Sequence, residues 1–323
     1  MFARIVPDII DKYGLDSTRI GNVQKGYRSE SYPLLLSDGT TVNLLFYKHE
    51  IHILDRIKTA DYVAGQAFAS ELPVRTRYDQ RLLRIGDRNY VGVYNYLPGT
   101  TISWEAYTKK HIKLVGWAMA DLHTALKSLP AQRSRLLSDE MMEQIDRMER
   151  YFRTPAVVDA IQQKLGVKID TEQFDPLQKL IDYSAKSSGQ QYLHMDMVRG
   201  NILFDEARPN AKWQIDDIQL SGIIDFEKAA YGLPVCDVAR TLAFLLVDCP
   251  KPTDKIYKYF LDSGYHKRGG ATLEHIDLLP HFIRLFLIHD FYKFLKHTPY
   301  ESLHDNYHYN RTRDILKTYG IIS

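Results

Sequence analysis

The segment His194-Met195-Asp196-Met197-Val198-Arg199-Gly200-Asn201 places a carboxylate and a side-chain amide five positions apart. Reduced to its chemistry it is H-x-D-x-x-x-x-N, the spacing of a loop that transfers phosphoryl groups. Such a transfer needs a carboxylate that orients an attacking hydroxyl and accepts its proton. It also needs an oxygen ligand for magnesium nearby. Asp196 and Asn201 are the candidates for these two tasks. A second acid follows 24 residues after Asn201, in Ile223-Ile224-Asp225-Phe226-Glu227. An acid leaving a buried strand beside a phenylalanine suits a magnesium-binding carboxylate at the nucleotide phosphates. Each feature also has an ordinary reading. A His194–Asp196 pair can be a structural hydrogen bond, and an Asp after a strand can turn the chain or cap a helix. Their order, on a loop and a strand where both are needed, selects phosphoryl transfer.

The elements that must position these residues follow from periodicity. Ser31 to Leu36 and Val42 to Lys48 are apolar runs rich in strand formers, joined by Ser37-Asp38-Gly39-Thr40, so they read as a hairpin. A helix is expected from Asp55 to Leu72, ended by Pro73, and a second hairpin over Arg81 to Ile85 and Tyr90 to Leu97. After Pro98-Gly99 the pattern turns helical. Lys109 to Leu129 carries a stripe of Ile112, Val115, Met119, Leu122 and Leu126, and Ser138 is read as the N-cap of the next helix. Further helices are expected near 155–165 and 175–187, then loop and strand over Gln191 to Ala230, then helices from Leu233 onward. Ile202-Leu203-Phe204 reads as the strand that fixes the catalytic loop. The expected fold class is α+β, an antiparallel-sheet lobe over 1–97 and a mainly helical lobe over 98–323.

Composition narrows the function classes. With 323 residues, two packed lobes are a fair prior. A formal net charge of +2 is too small for a general nucleic-acid binder. The two cysteines, Cys236 and Cys249, are not in zinc or disulfide-framework spacing, and a reducing cytoplasm fits. The N-terminal segment reads as a short amphipathic helix rather than a signal peptide. No apolar stretch approaches membrane-spanning length.

The stretches YLHMDMVRGNILFD and IIDFEKAAYGLPVCDVARTLAF resemble the aminoglycoside phosphotransferase and choline kinase group of protein-kinase-like small-molecule kinases. Its hallmarks are H-G-D-x-x-x-x-N and a later I-D-[FW] followed by G-x-P-x-x-D-[LV]-A. The resemblance implies a two-lobed kinase-like fold, ATP and Mg2+ as cofactors, and a small-molecule acceptor with a hydroxyl. It makes Asp196 the catalytic base, Asn201 and Asp225 the magnesium ligands, and His194 a support of the loop. Glu227 would assist the metal or stand behind its ligands. Asp237 would be the structural acid that holds the catalytic loop from a helix start, with Pro234 in that helix's first turn. Two departures stand out. Met195 occupies a position where the family usually has Gly, and is strained if the backbone there needs positive φ. An extra polar stretch from Asp205 to Leu220 is read as a longer hairpin.

On the nucleotide side the candidate loop is Gln24 to Tyr32, with Gly26, Ser29 and Ser31 as phosphate contacts; a surface turn is the other reading. Lys48, at the end of VNLLFYK, stands where the family places its phosphate-binding lysine, and is otherwise a solvated strand-end lysine. Asp61 is favoured over Glu50 as its acidic partner. The segment containing Tyr94 and Tyr96 would give backbone contacts to adenine, or be plain strand. The tail 251–323 holds 11 Lys/Arg, 8 Asp/Glu and 7 His, so it lacks the acidic character that polycationic acceptors need. Some of His289, Asp290, Tyr292 and Lys293 are expected to face the acceptor. The sequence thus predicts an ATP-dependent kinase of a small hydroxylated molecule (an aminoglycoside-like antibiotic, an amino alcohol or a sugar), with no nucleic-acid or membrane partner. The alternative is a catalytically inactive nucleotide-binding regulator of the same fold.

Overall fold

The computed structural model describes residues 3–25, 29–48, 76–78, 80, 82–86, 89–129, 136–268 and 272–323. Helix α1 (Val6–Tyr13) is amphipathic, with Val6, Ile9 and Tyr13 on its buried side. It packs on an antiparallel sheet of β1 (Ser17–Ile20), β2 (Gln24–Lys25), β3 (Ser29–Leu36), β4 (Thr41–Lys48), β5 (Leu82–Ile85) and β6 (Asn89–Asn95). The sheet order is β1-β3-β4-β6-β5, with β2 on β3. Alternation decides the buried face: Tyr32 and Leu34 on β3, and Val42, Leu44 and Phe46 on β4, meet Val91 and Val93 of β6 in one core with α1. Both expected hairpins are present. The helix expected over 55–72 lies outside the described residues.

The rest of the chain holds a second, larger core. Helix α2 (Lys109–Leu126) starts at a capping box, where Thr108 Oγ1 accepts from Lys110 N–H and His111 Nδ1 accepts from Thr108 N–H. Helices α3 (Leu137–Phe152), α4 (Pro155–Leu165) and α5 (Phe174–Lys186) follow. Ser138 is the second residue of α3 and not its cap. The helix opens at Leu137, whose side chain is 6% exposed, while Leu136 takes the cap position and bridges to Tyr231. Burial of Leu137 therefore sets the helix start, and no side chain caps it.

Strands β7 (Gln191–Leu193), β8 (Ile202–Glu206), β9 (Gln214–Ile215), β10 (Ile218–Ile223) and β11 (Ala230–Gly232) make two small antiparallel sheets, β8-β10-β9 and β11-β7. The stretch 205–220 is thus the extended hairpin that its polar composition suggests, with β9 added at its tip. Helix α6 (Pro234–Asp248) is buried along nearly its whole length. Helices α7 (Thr253–Tyr257), α8 (Leu279–His297) and α9 (Tyr307–Thr318) complete the chain, and α8 packs along α6. This is the two-lobed, protein-kinase-like α+β fold that the motifs imply. No helix among the described residues is long and apolar enough to cross a membrane.

Pro98, Gly99 and Thr100 join the two parts of the chain and are clamped to the β8–β10 hairpin. Thr100 and Phe204 exchange both backbone hydrogen bonds, at 2.8 and 2.9 Å, and Ser221 Oγ donates to the Pro98 carbonyl at 2.7 Å. Gly99 has φ 111°, and a Cβ there would collide with Ser221 Oγ and lie 2.7 Å from the Phe204 carbonyl oxygen. Only glycine fits this junction.

Candidate active site

Strand pairing brings the two motifs face to face. Leu193 pairs with Ala230 on one side, and Ile202 with Ile223 on the other. Loop 194–201 and turn 224–229 are therefore bracketed by ladders at both ends, which converts a sequence separation of 24 residues into direct contact. His194 ties them together. Its Nδ1 accepts from Asp196 N–H at 3.1 Å, and its Nε2 lies 3.2 Å from the Ile224 carbonyl. An acceptor role at Nδ1 requires the Nε2–H tautomer, which then donates to Ile224. Burial pushes the His194 imidazole below its ordinary value of 6.5, against the raising effect of Asp237 and Asp196, so the ring is neutral at pH 7. It also packs on Phe226, with ring centroids 4.6 Å apart.

Asp196 is 6% exposed and Asn201 is 9% exposed. The Asn201 amide nitrogen donates both its hydrogens to Asp196, to the carbonyl oxygen at 2.9 Å and to Oδ2 at 3.1 Å. The Asn201 oxygen is then the atom that remains to meet a cation. The Asn201 carbonyl accepts from Ile224 N–H at 3.0 Å, so Asn201 and Asp225 sit on adjoining, hydrogen-bonded segments. Asp225 has φ 68°, a left-handed conformation that Asp tolerates better than most residues. An amide oxygen and a carboxylate are hard donors, fitting Mg2+ that keeps waters and phosphate oxygens for its other positions.

Asp237 holds the loop from below. It is fully buried at the start of α6; its Oδ2 accepts from His194 N–H at 2.8 Å and its Oδ1 from Met195 N–H at 3.0 Å. His123 Nε2 lies 3.3 Å from Oδ2, and His123 Nδ1 is 2.7 Å from the Tyr265 hydroxyl. Burial alone would raise the Asp237 carboxyl. The hydrogen bonds and charges of His123 and His194 outweigh it and hold the group below its ordinary 3.8. One turn further along α6, Thr241 donates to the Met197 carbonyl at 3.3 Å.

Met195 does adopt positive φ, 60°. An L side chain in that region costs about 1–2 kcal/mol. The side chain is only 5% exposed and joins the larger core, and burial of a methionine contributes about 1.5–3 kcal/mol. Packing therefore matches or exceeds the strain, and the loop keeps its shape without glycine.

Lys228 joins the candidate site, and motif spacing did not single it out. Its Nζ lies 2.8 Å from Asp196 Oδ1, with 41% of the lysine side chain exposed against 8% of the aspartate's. It stands three residues after Asp225, on the turn that His194 binds. A cation i+3 from the candidate metal-binding acid was the available signal. His123 was missed for a similar reason: it is a polar residue next to the apolar stripe of α2, four residues after Met119.

The nucleotide-side residues are placed less completely. Gly26 and Asp61 lie outside the described residues. For Ser29, Lys48 and Glu227 the described part is the backbone: Ser29 opens β3, Lys48 ends β4 opposite Asn89, and Glu227 lies on the turn 226–228. Strands β2 and β3 extend to Lys25 and from Ser29, so the loop expected over 24–32 is shorter than its composition suggests. Ser31 is within β3, and its hydroxyl donates to Asn43 Oδ1 at 2.5 Å. Tyr94 is 2% exposed and Tyr96 is 48% exposed; the Tyr96 N–H bonds the Thr41 carbonyl at 3.3 Å.

A sequence model of the phosphotransferase enzyme family matches residues 46–268, more than half of the chain. No curated protein matches the chain in sequence. Among solved structures, the chain is similar to an amicoumacin kinase in complex with AMP-PNP, Ca2+ and Ami, at TM-score 0.72 and 15% identity, over 97% of this chain and 94% of that one. It is similar to a microcompartment-associated aminopropanol kinase at TM-score 0.71 and 16% identity, over 98% of both chains. A spectinomycin phosphotransferase bound to ADP and its antibiotic gives TM-score 0.58 and 13% identity, over 96% and 93%. At such identities the likeness establishes the fold.

Proposed function

This chain belongs to the phosphotransferase enzyme family, and on that premise we propose that it transfers the γ-phosphoryl group of ATP to a hydroxyl of a small molecule. The observation that carries the reading is the Asp196–Asn201 pair, buried, hydrogen-bonded at 3.1 Å and fastened to the Asp225 segment by His194. The AMP-PNP and ADP held by structures of the same fold support a nucleotide donor.

The residues divide the work as follows. Asp196 Oδ1 or Oδ2 takes the hydroxyl proton and aims the oxygen at the γ-phosphorus. Asn201 orients Asp196 through its amide nitrogen and presents its oxygen, with the Asp225 carboxylate, to Mg2+. When bound there, the ion neutralises charge on the nucleotide phosphates. Lys228 holds Asp196 in place through Oδ1 and puts a positive charge beside the carboxylate, where the transferred phosphoryl group arrives. His194 and Asp237 fix the loop and touch no reacting atom. Lys48, Gly26, Ser29, Ser31 and the Tyr94–Tyr96 segment are assigned to the nucleotide, Asp61 to the lysine, and Glu227 to the metal's surroundings. In this reading residues 1–97 serve the nucleotide, and 98–323 the acceptor and the chemistry.

Met195 gives no support to an inactive regulator, since packing offsets its strain and the loop around it keeps its hydrogen bonds. The test is ADP release across a panel of hydroxylated acceptors. Asp196→Ala should abolish acceptor-dependent turnover while Mg-ATP binding survives. Unchanged turnover in that variant refutes the assignment of the base.

A further inference from the structure

Helix α6 carries more than the clamp on the catalytic loop. Asp237, Arg240, Thr241 and Phe244 stand at i, i+3, i+4 and i+7 on one face. The first and third bond the loop, so Arg240 is beside it by construction. Arg240 is 9% exposed. Its guanidinium lies over the rings of Phe244 and Phe286, 5.3 and 5.2 Å from their centroids. Among the described residues it has no carboxylate partner and no hydrogen bond. The two rings hold the guanidinium in place, while its nitrogens are not sealed off and stay open to an anion.

The facing helix, α8, presents Phe286, His289, Asp290 and Lys293 at the same spacing. Asp290 is 7% exposed and already paired, with Lys293 Nζ 3.4 Å from its Oδ1. Burial pushes the His289 imidazole down to about 3, so it adds no charge at pH 7. Burial, then the nearby cations Arg240 and Lys228, lower the Lys293 ammonium, while Asp290 raises it. Lys228 is itself on Asp196. Lys228 touches the base, and the charges of Lys228 and Arg240 both reach Lys293. Among the described side chains, Asp196 answers Lys228, Asp290 answers Lys293, and Arg240 has no anion within ion-pair distance.

We propose that Arg240 binds a carboxylate of the acceptor, so that the acceptor is a small hydroxylated carboxylate (a hydroxy acid or hydroxyl-bearing amino acid) and not a polycation. The planar guanidinium suits two parallel hydrogen bonds to a carboxylate. This rests on the phosphotransferase reading. The acceptor oxygen bonds the γ-phosphorus, the bond from that phosphorus to the bridging oxygen breaks, and ADP leaves. The hydroxyl proton passes to Asp196, and the carboxylate is unchanged.

The test uses the full chain with serine, homoserine and 5-hydroxylysine, each against its decarboxylated counterpart, plus kanamycin. At least one carboxylate should exceed its counterpart in kcat/KM by roughly 100-fold. Arg240→Gln should remove that preference through KM while KM for ATP holds, and Arg240→Lys should restore part of it. Equal or better turnover of the amino alcohols or kanamycin overturns the proposal, as does a preference that survives Arg240→Gln. The wild-type comparison stands even if the variant folds poorly. Titration of the AMP-PNP-loaded protein with the same compounds separates the two readings. Carboxylate binding that Arg240→Gln abolishes supports the inference even without turnover. Asp196-dependent turnover without any carboxylate binding overturns it and leaves the phosphotransferase reading intact.

Discussion

Asp237→Asn tests whether one buried acid builds the catalytic loop. The carboxylate accepts two backbone N–H groups, from His194 and Met195, at 2.8 and 3.0 Å, and has His123 at 3.3 Å. Asparagine preserves the shape but offers one acceptor oxygen and turns an NH2 toward the other donor. Each hydrogen bond to a buried charge contributes about 1.5–3 kcal/mol, and a stranded buried donor costs about 1–3 kcal/mol. Allowing for relaxation, the variant should lose about 3–5 kcal/mol, a large part of a total that runs to about 5–15 kcal/mol. Met195 sits at φ 60° with its N–H held by this acid, so the loop should also shift, and a displacement of about 1 Å is worth about 100-fold in kcat. The sign with pH follows from the lowered carboxyl. Its stabilisation is complete above the unfolded value near 3.8 and fades as pH falls through the lower folded value. Urea unfolding of both proteins should therefore show the full difference at pH 7 and a shrinking one below about pH 4. A difference under about 1 kcal/mol at pH 7, with kcat retained, refutes the reasoning.

Three further outcomes are expected. Lys228→Met should lower kcat by about 100-fold and change urea stability by less than about 1 kcal/mol, because the pair is partly exposed; an unchanged kcat removes Lys228 from the reacting centre. Met195→Gly should cost up to about 2 kcal/mol in a thermal melt, the burial lost less the strain relieved; a stabilised variant would show that strain dominates. Gly99→Ala should destabilise the junction of the two parts by at least about 2 kcal/mol, and wild-type unfolding would contradict the fit seen around Ser221 and Phe204.

Much of this architecture was legible in the residues. The hairpins of β3–β4 and β5–β6 rest on local alternation and turn chemistry, and α2 on a single apolar stripe. Those signals lie within one element, so a short window contains them. Ser138 misled because the local cap preference yielded to the burial of Leu137, which is decided by neighbours far along the chain. Ser31 reads both as the start of a strand and, beside Gly26 and Ser29, as part of a phosphate loop; the ladder with β4 puts its backbone in the sheet.

The sequence by itself determined the chemistry available: the types and spacing of His194, Asp196, Asn201, Asp225 and Asp237, and the class of reaction they can serve. Even the departure at Met195 was legible as a question about positive φ. Tertiary structure alone decided how the pieces act on one another. Pairing of β7 with β11 and β8 with β10 set the two motifs in contact through His194. The packing of α6 on α8 put Arg240 between two aromatic rings, and the turn after Asp225 laid Lys228 on Asp196. The physical reason is range. Backbone propensity and apolar periodicity act over a few residues and are written in order along the chain. Charge pairing and burial act through space, and which cation meets which carboxylate is fixed only when distant segments pack.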